Sequence, residues 1–183
     1  MRIGTFAAAL VAGLLLVTGH AAAQADPENT LVMELESGTV TIALRPDLAP
    51  NHVERLKTLT REGFYDGLVF HRVIPNFMAQ TGDPTGTGAG GSELPDLAAE
   101  FSDVPFTRGI IGMARTQDPD SANSQFFVTY ADAPWLNGQY TVVGEVVEGM
   151  EAVDAIKPGS EANNGLVADP DSIISMKVAA DAG

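Results

Sequence analysis

Residues 70–84 read F-H-R-V-I-P-N-F-M-A-Q-T-G-D-P and set one arginine, Arg72, inside an apolar run. No Asp or Glu lies between Phe70 and Gly82, so this cation lacks the adjacent carboxylate that an arginine among buried side chains ordinarily needs. It pairs either with a distant group or with a ligand. If the run is a strand, Phe70, Arg72 and Ile74 share a face, and the next segment supplies Phe77, Met78 and Gln80. The cation then stands beside aromatics, a thioether and an amide. S-Q-F-F-V-T at 124–129 repeats the theme with Gln125 and Phe127, and P-W-L-N-G-Q-Y at 134–140 adds Trp135, Leu136 and Tyr140. Some of these aromatics must belong to the core.

Other chemistries fail on their residue types. Cysteine is absent, which removes a thiol nucleophile and, with only His52 and His71 beyond residue 25, any zinc site of the usual Cys and His kind. His71 tempts a Ser-His-Asp reading, but no G-x-S-x-G is present and alternation puts it on the face opposite Arg72. It reads as a core histidine with a satisfied hydrogen bond. The run G-T-G-A-G-G at 86–91 has glycines enough for a phosphate loop, yet S-E-L-P-D follows, Pro95 interrupts any helix, and Gly-Lys-Ser/Thr is missing. It reads as a flexible surface loop. D-P-D-S-A-N at 118–123 fails as a calcium loop, because Ala122 sits where an oxygen ligand belongs and Thr129 stands at the twelfth position. No metal and no cofactor is expected.

The elements that must position these residues lie beyond the first 25. Residues 1–25 have a charged start, an apolar stretch from Ala7 to Val17 and then small residues, the layout of a signal peptide cleaved after Ala23 or Ala25. The apolar run falls well short of the ~20 residues that span a bilayer. Residues 26–183 are expected to form one soluble domain, periplasmic or secreted, with no membrane association after cleavage. Losing Arg2 leaves nine Lys and Arg against 24 Asp and Glu, a net charge of −15. A surface of that sign repels phosphate backbones, so nucleic acid is excluded as a partner. Export without cysteine also means that packing alone must hold the fold.

L-V-M-E-L-E-S-G-T-V-T-I-A-L alternates on both sides of Ser37-Gly38, the pattern of a two-stranded hairpin. In A-P-N-H-V-E-R-L-K-T-L-T-R-E-G the period becomes helical, with Pro50 in a first turn and Gly63 as C-cap. Strands are expected at 68–74, 77–81, 109–115, 124–130, 140–147 and 173–178, with a short helix at 150–156 and a polar loop after Lys157. Eight strands and two helices without a repeat predict a mainly β domain. Closure into an eight-stranded antiparallel barrel would remove the exposed edges.

F-H-R-V-I-P-N-F-M-A-Q-T-G-D-P, I-G-M-A-R, N-S-Q-F-F-V and W-L-N-G-Q-Y-T-V-V-G-E-V, in this order, resemble the cyclophilin family of peptidyl-prolyl cis/trans isomerases. The similarity runs from about Leu31 to Lys177, and it implies a barrel capped by two α-helices. It implies catalytic or proline-pocket roles for Arg72, Phe77, Met78, Gln80, Phe127 and Leu136. Gln125, Trp135 and the main chain of Ala114 and Arg115 fall on positions that hold the surrounding peptide. Tyr140 stands where many members have histidine, and Arg115 where asparagine is common. Asn76 and Asn123 replace frequent glycines, and asparagine tolerates a positive φ. The implied partners are proline-containing polypeptides and, through Trp135, cyclosporin, bound by a monomer. A proline-peptide binding or chaperone module using the same groove is the alternative.

Overall fold

The structure is a computed structural model and describes residues 26–181, so the signal-peptide reading of 1–25 lies outside the described residues. The chain opens with the hairpin β1 (Thr30–Leu35) and β2 (Gly38–Leu44), in which Leu31, Met33, Leu35, Val40, Ile42 and Leu44 point inward. Leu35 pairs with Gly38, so the two turn residues are Glu36 and Ser37, one position earlier than the alternation suggests.

The helix α1 (Pro50–Arg61) follows, with Pro50 in its first turn. Its N-cap, Ala49, has no side-chain acceptor, and Glu100 from a distant loop substitutes by accepting from the amides of Asn51 and His52 at 3.2 and 3.1 Å. A carboxylate there also faces the positive end of the helix dipole. Val53, Leu56 and Leu59 turn this helix onto the main core.

The remaining strands are β3 (Arg72–Ile74), β4 (Met78–Thr81), β5 (Ile110–Met113), β6 (Phe126–Thr129), β7 (Val142–Glu148) and β8 (Ile173–Val178). The helix α2 (Met150–Asp154) sits between the last two. All eight strands form one antiparallel sheet in the order β3-β4-β6-β5-β7-β2-β1-β8. The eight strands and two helices match the expected count, but the ladder itself stops at β3 and β8, leaving a curled half-barrel. The seam is stitched by residues 67–70, which lie outside the strands, to the start of β8 and the residues before it: Gly67 donates to the Ile173 carbonyl, Phe70 to Asp171, and Ile173 to Leu68, at 2.7–2.9 Å. Edge amides are satisfied there without a continuous barrel ladder.

Strand alternation divides the apolar side chains into two clusters. Val73, Ala79, Ile111, Phe126 and Val128 face the main core with α1. Met78, Phe106, Ile110, Phe127, Leu136 and Val142 form a second cluster on the other face. That second cluster underlies the candidate site.

Candidate active site

Register, more than sequence proximity, assembles the site. Arg72 pairs with Gln80 across β3 and β4, Gln80 with Phe127 across β4 and β6, and Phe127 with Gly112 across β6 and β5. These residues form a row perpendicular to the strands, with neighbours about 4.8 Å apart. Gly112 gives the row its depth. A Cβ there would lie 2.5 Å from Phe127 Cζ and 2.7 Å from Phe106 Cε1, so the missing side chain lets the Phe127 ring lie down against the sheet. Phe106 stacks on Phe127 at 5.7 Å and fixes it from below.

Above this row lies a cavity of about 510 Å³. Its lining includes nine residues expected from sequence: Arg72, Phe77, Met78, Gln80, Ala114, Arg115, Phe127, Leu136 and Tyr140. Met78, Phe127 and Leu136 are buried and make an apolar floor. The other two expected residues lie at its margins. Gln125 lines an adjoining cavity of about 470 Å³ with the 88–92 loop. Trp135 is 57% exposed on the rim, tilted against Phe77 with ring centroids 5.5 Å apart.

The Arg72 guanidinium has no carboxylate among its hydrogen-bond partners. Nη1 donates to Gln80 Oε1 at 3.1 Å, Nε to the Asn164 carbonyl at 3.0 Å and Nη2 to Asn164 Oδ1 at 3.0 Å. Burial lowers its affinity for a proton, and nearby Tyr140 opposes that slightly. It nevertheless stays charged at physiological pH, as arginine does in proteins. A guanidinium only donates, which fixes the Gln80 amide with oxygen toward Arg72. Its Nε2 then donates to Gln125 Oε1 at 2.8 Å, and Gln125 Nε2 donates to the carbonyls of Gly90 at 2.7 Å and Gly88 at 3.1 Å.

That relay ends on the glycine loop, which is less free than its composition suggests. Asp83, 1% exposed, accepts from the amides of Thr85, Thr87 and Gly88 at 2.7, 3.1 and 2.6 Å, and from the Thr85 hydroxyl. Burial pushes the Asp83 carboxyl up, but these donors together outweigh it and hold the group down at about 2. The expectation of a flexible loop is therefore corrected: one buried carboxylate ties its turns together.

Two of the four departures from the family pattern, Arg115 and Tyr140, touch each other. Arg115 turns back, donating to the Gln139 carbonyl from Nε at 3.2 Å and Nη2 at 2.8 Å and to the Thr116 carbonyl from Nη1 at 2.8 Å. Its Cζ lies 4.5 Å above the Tyr140 ring, and that ring meets Phe127 edge-on at 5.8 Å. The side chain of Arg115 thus props the cavity wall, a role that its main chain alone did not suggest. The Ala114 amide already donates to the Gln125 carbonyl at 2.9 Å.

His71 departs from its reading in its placement and in its hydrogen bonding. It is buried, yet it borders the same cavity as Arg72, and neither ring nitrogen meets hydrogen-bond geometry with a partner among the described residues. Burial lowers its pKa, and Asp83 and the neighbouring Val69 carbonyl oppose this only in part. Sequence reasoning missed Asn163, Asn164 and Leu166 and set aside His71, Thr87 and Gly88, all of which also line the cavity. The available signal was the Asn164-Gly165 dipeptide, a turn pair that bends a polar loop back sharply.

The site is thus an apolar floor of Met78, Phe127 and Leu136 with two arginines, Arg72 and Arg115, in its lining. The comparisons give the class. The model of the cyclophilin type peptidyl-prolyl cis-trans isomerase/CLD family matches residues 30–178, and the chain belongs to that family. Its enzymatic activity is peptidyl-prolyl cis-trans isomerisation. A "Probable peptidyl-prolyl cis-trans isomerase" of Brucella suis is 56% identical over 192 aligned positions, covering 99% of this chain and 97% of that one. A "Peptidyl-prolyl cis-trans isomerase-like 1" of Gibberella zeae is 42% identical over 140 positions, 73% of this chain and 86% of that one. Among solved structures, a cyclophilin from Hirschia baltica superposes with a TM-score of 0.76 at 27% identity, covering 85% of this chain and 76% of that one. A cyclophilin type isomerase of Cryptosporidium parvum, crystallised in the presence of the dipeptide Ala-Pro, gives 0.75 at 28%, covering 81% and 98%.

Proposed function

We propose that the cavity over Phe127 takes the proline ring of an X-Pro segment and that Arg72 speeds rotation of its peptide bond without covalent chemistry. The barrier of ~18–20 kcal/mol comes from resonance between the nitrogen lone pair and the carbonyl. Uncatalysed exchange takes tens to hundreds of seconds. Reaching milliseconds requires ~10⁴-fold acceleration, about 5.5 kcal/mol of stabilisation felt more by the twisted state than by the planar one. Twisting removes the resonance and leaves a pyramidal nitrogen with an available lone pair. A guanidinium N–H directed at the prolyl group stabilises that state more than either planar form.

The observation that carries this reading is the row Arg72-Gln80-Phe127, which sets a held cation beside a buried aromatic floor. A preorganised donor in other enzymes contributes ~2.7–4 kcal/mol, so Arg72 supplies about half or more of the requirement. Phe77, Met78 and Leu136 supply the remainder by gripping the ring in a site that excludes water. Gln125, Ala114, Arg115, Trp135 and Tyr140 hold the flanking peptide.

The substrates we propose are exported proteins folding in the periplasm or outside the cell, and the working form is a monomer. NMR exchange spectroscopy on a short X-Pro peptide tests the catalytic assignment. The wild-type protein accelerates exchange while Arg72→Ala binds the peptide with little acceleration. Equal acceleration by both removes the arginine from the mechanism. Cyclosporin is the proposed inhibitor, and quenching or enhancement of Trp135 fluorescence on titration reads its binding.

A further inference from the structure

We infer that Asn164 is a positioning residue for Arg72, an inference that rests on the catalytic role proposed for that arginine. Two of the three bonds that hold the guanidinium come from Asn164, one from its carbonyl and one from its side-chain oxygen, both at 3.0 Å. With Gln80 on Nη1, all three guanidinium nitrogens are engaged. Each terminal nitrogen carries a second N–H, and those two remain for a substrate. A long, flexible side chain is thereby held with its free donors already aimed, and the rotamer entropy is lost before substrate arrives.

The backbone is built to place Asn164 there. Asn164 and Gly165 both have positive φ, 54° and 80°. Asparagine and glycine are the residues that tolerate this conformation best. Gly165 is wedged so closely that a Cβ would lie 2.4 Å from Ile74. The segment is laced along the outer edge of β3: Val73 donates to the Gly165 carbonyl, Gly159 to Val73 and Val167 to His71, at 2.8–3.1 Å. The strap thus covers the sheet edge and delivers Asn164 to the guanidinium from the side opposite Gln80.

Asn164→Gly is the selective test, because glycine accepts the same φ and keeps the main-chain acceptor while deleting Oδ1. The measurements are kcat and KM for wild type, Asn164→Gly, Arg72→Ala and the double variant, with the Arg72 Nε–H resonance and the melting temperature of each folded protein. The expected result for Asn164→Gly is a five- to tenfold lower kcat with KM within twofold, a broadened or shifted Nε–H resonance and little change in melting temperature. On the Arg72→Ala background the same substitution changes nothing further. Unchanged kcat in Asn164→Gly, or an equal loss on the Arg72→Ala background, overturns the positioning role. Full activity in Arg72→Ala overturns instead the catalytic reading beneath it, so the two failures are distinguishable.

Discussion

Replacing Arg72 by lysine separates charge from geometry. The ammonium keeps the positive charge but loses the planar fork whose three nitrogens meet Gln80 Oε1, the Asn164 carbonyl and Asn164 Oδ1. A lysine that reaches any of these acceptors has turned its proton away from the cavity, and one that points at the substrate is held by none of them. The expected loss is therefore close to that of deleting an aligned donor, ~10²–10³ in kcat/KM, equivalent to about 2.7–4 kcal/mol. Arg72→Lys should recover no more than about tenfold over Arg72→Ala, because mere proximity of a cation to the rotating amide is screened and unaimed. The assay is coupled or NMR-detected isomerisation of one X-Pro peptide, with peptide affinity measured separately. Arg72→Lys retaining more than about a third of wild-type kcat/KM would refute the argument from the held fork.

Gly112→Ala places a methyl group where the Phe127 ring now lies and drives that ring into the cavity. Overpacking of this kind costs ~1–3 kcal/mol, and the expected signature is a lower melting temperature with a raised KM. Tyr140→Phe should leave activity within about twofold, since the ring makes the contacts with Phe127 and Arg115. Tyr140→Ala should cost about 1–2 kcal/mol in stability, read from denaturant midpoints. Asp83 has a folded-state pKa below its unfolded value, so its contribution is present above about pH 4 and is lost as pH falls toward about 2. Wild type should thus exceed Asp83→Asn in stability by about 2 kcal/mol at neutral pH and converge with it in acid. The pH dependence of kcat should stay nearly flat from about pH 6 to 9, because the cation invoked does not titrate there. A histidine inflection with the protein still folded would count against it.

Local pattern made much of this fold legible. The β1-β2 hairpin and α1 were readable because their burial periods, two and 3.6, appear directly in the spacing of apolar side chains. The second helix, expected at 150–156, ends at Asp154, and several strands are shorter than their apolar runs. Burial continues past the last ladder bond there, and composition cannot distinguish a strand end from buried coil. The open seam was unreadable for a related reason. Its bonds join residues 67–70 to 171–173, and no local feature announces a pairing over that separation. At the site, the motifs identified the residues on β3, β4 and β6. They missed Asn164 because it works from an exposed polar loop, where an asparagine that grips a side chain looks like any other turn residue.

Arg72 has neutral acceptors as its partners in the structure and, in the proposed mechanism, a substrate, two possibilities that sequence could not separate. An unpartnered guanidinium half-buried over phenylalanine would carry a desolvation cost with no return, and would swing toward water. A carboxylate partner would hold it, but would neutralise the charge and occupy the donors that the proposed mechanism directs at the twisted amide. Neutral acceptors avoid both faults. The oxygens of Gln80 and Asn164 fix the fork through three N–H groups, and they leave the net charge and two N–H groups for the substrate that the proposed mechanism requires. The absence of Asp and Glu from residues 70 to 82 belongs to the same design. An acid introduced against the guanidinium, as in Gln80→Glu, should preserve the arginine's position while lowering kcat, with its carboxylate competing with the peptide for the same cation.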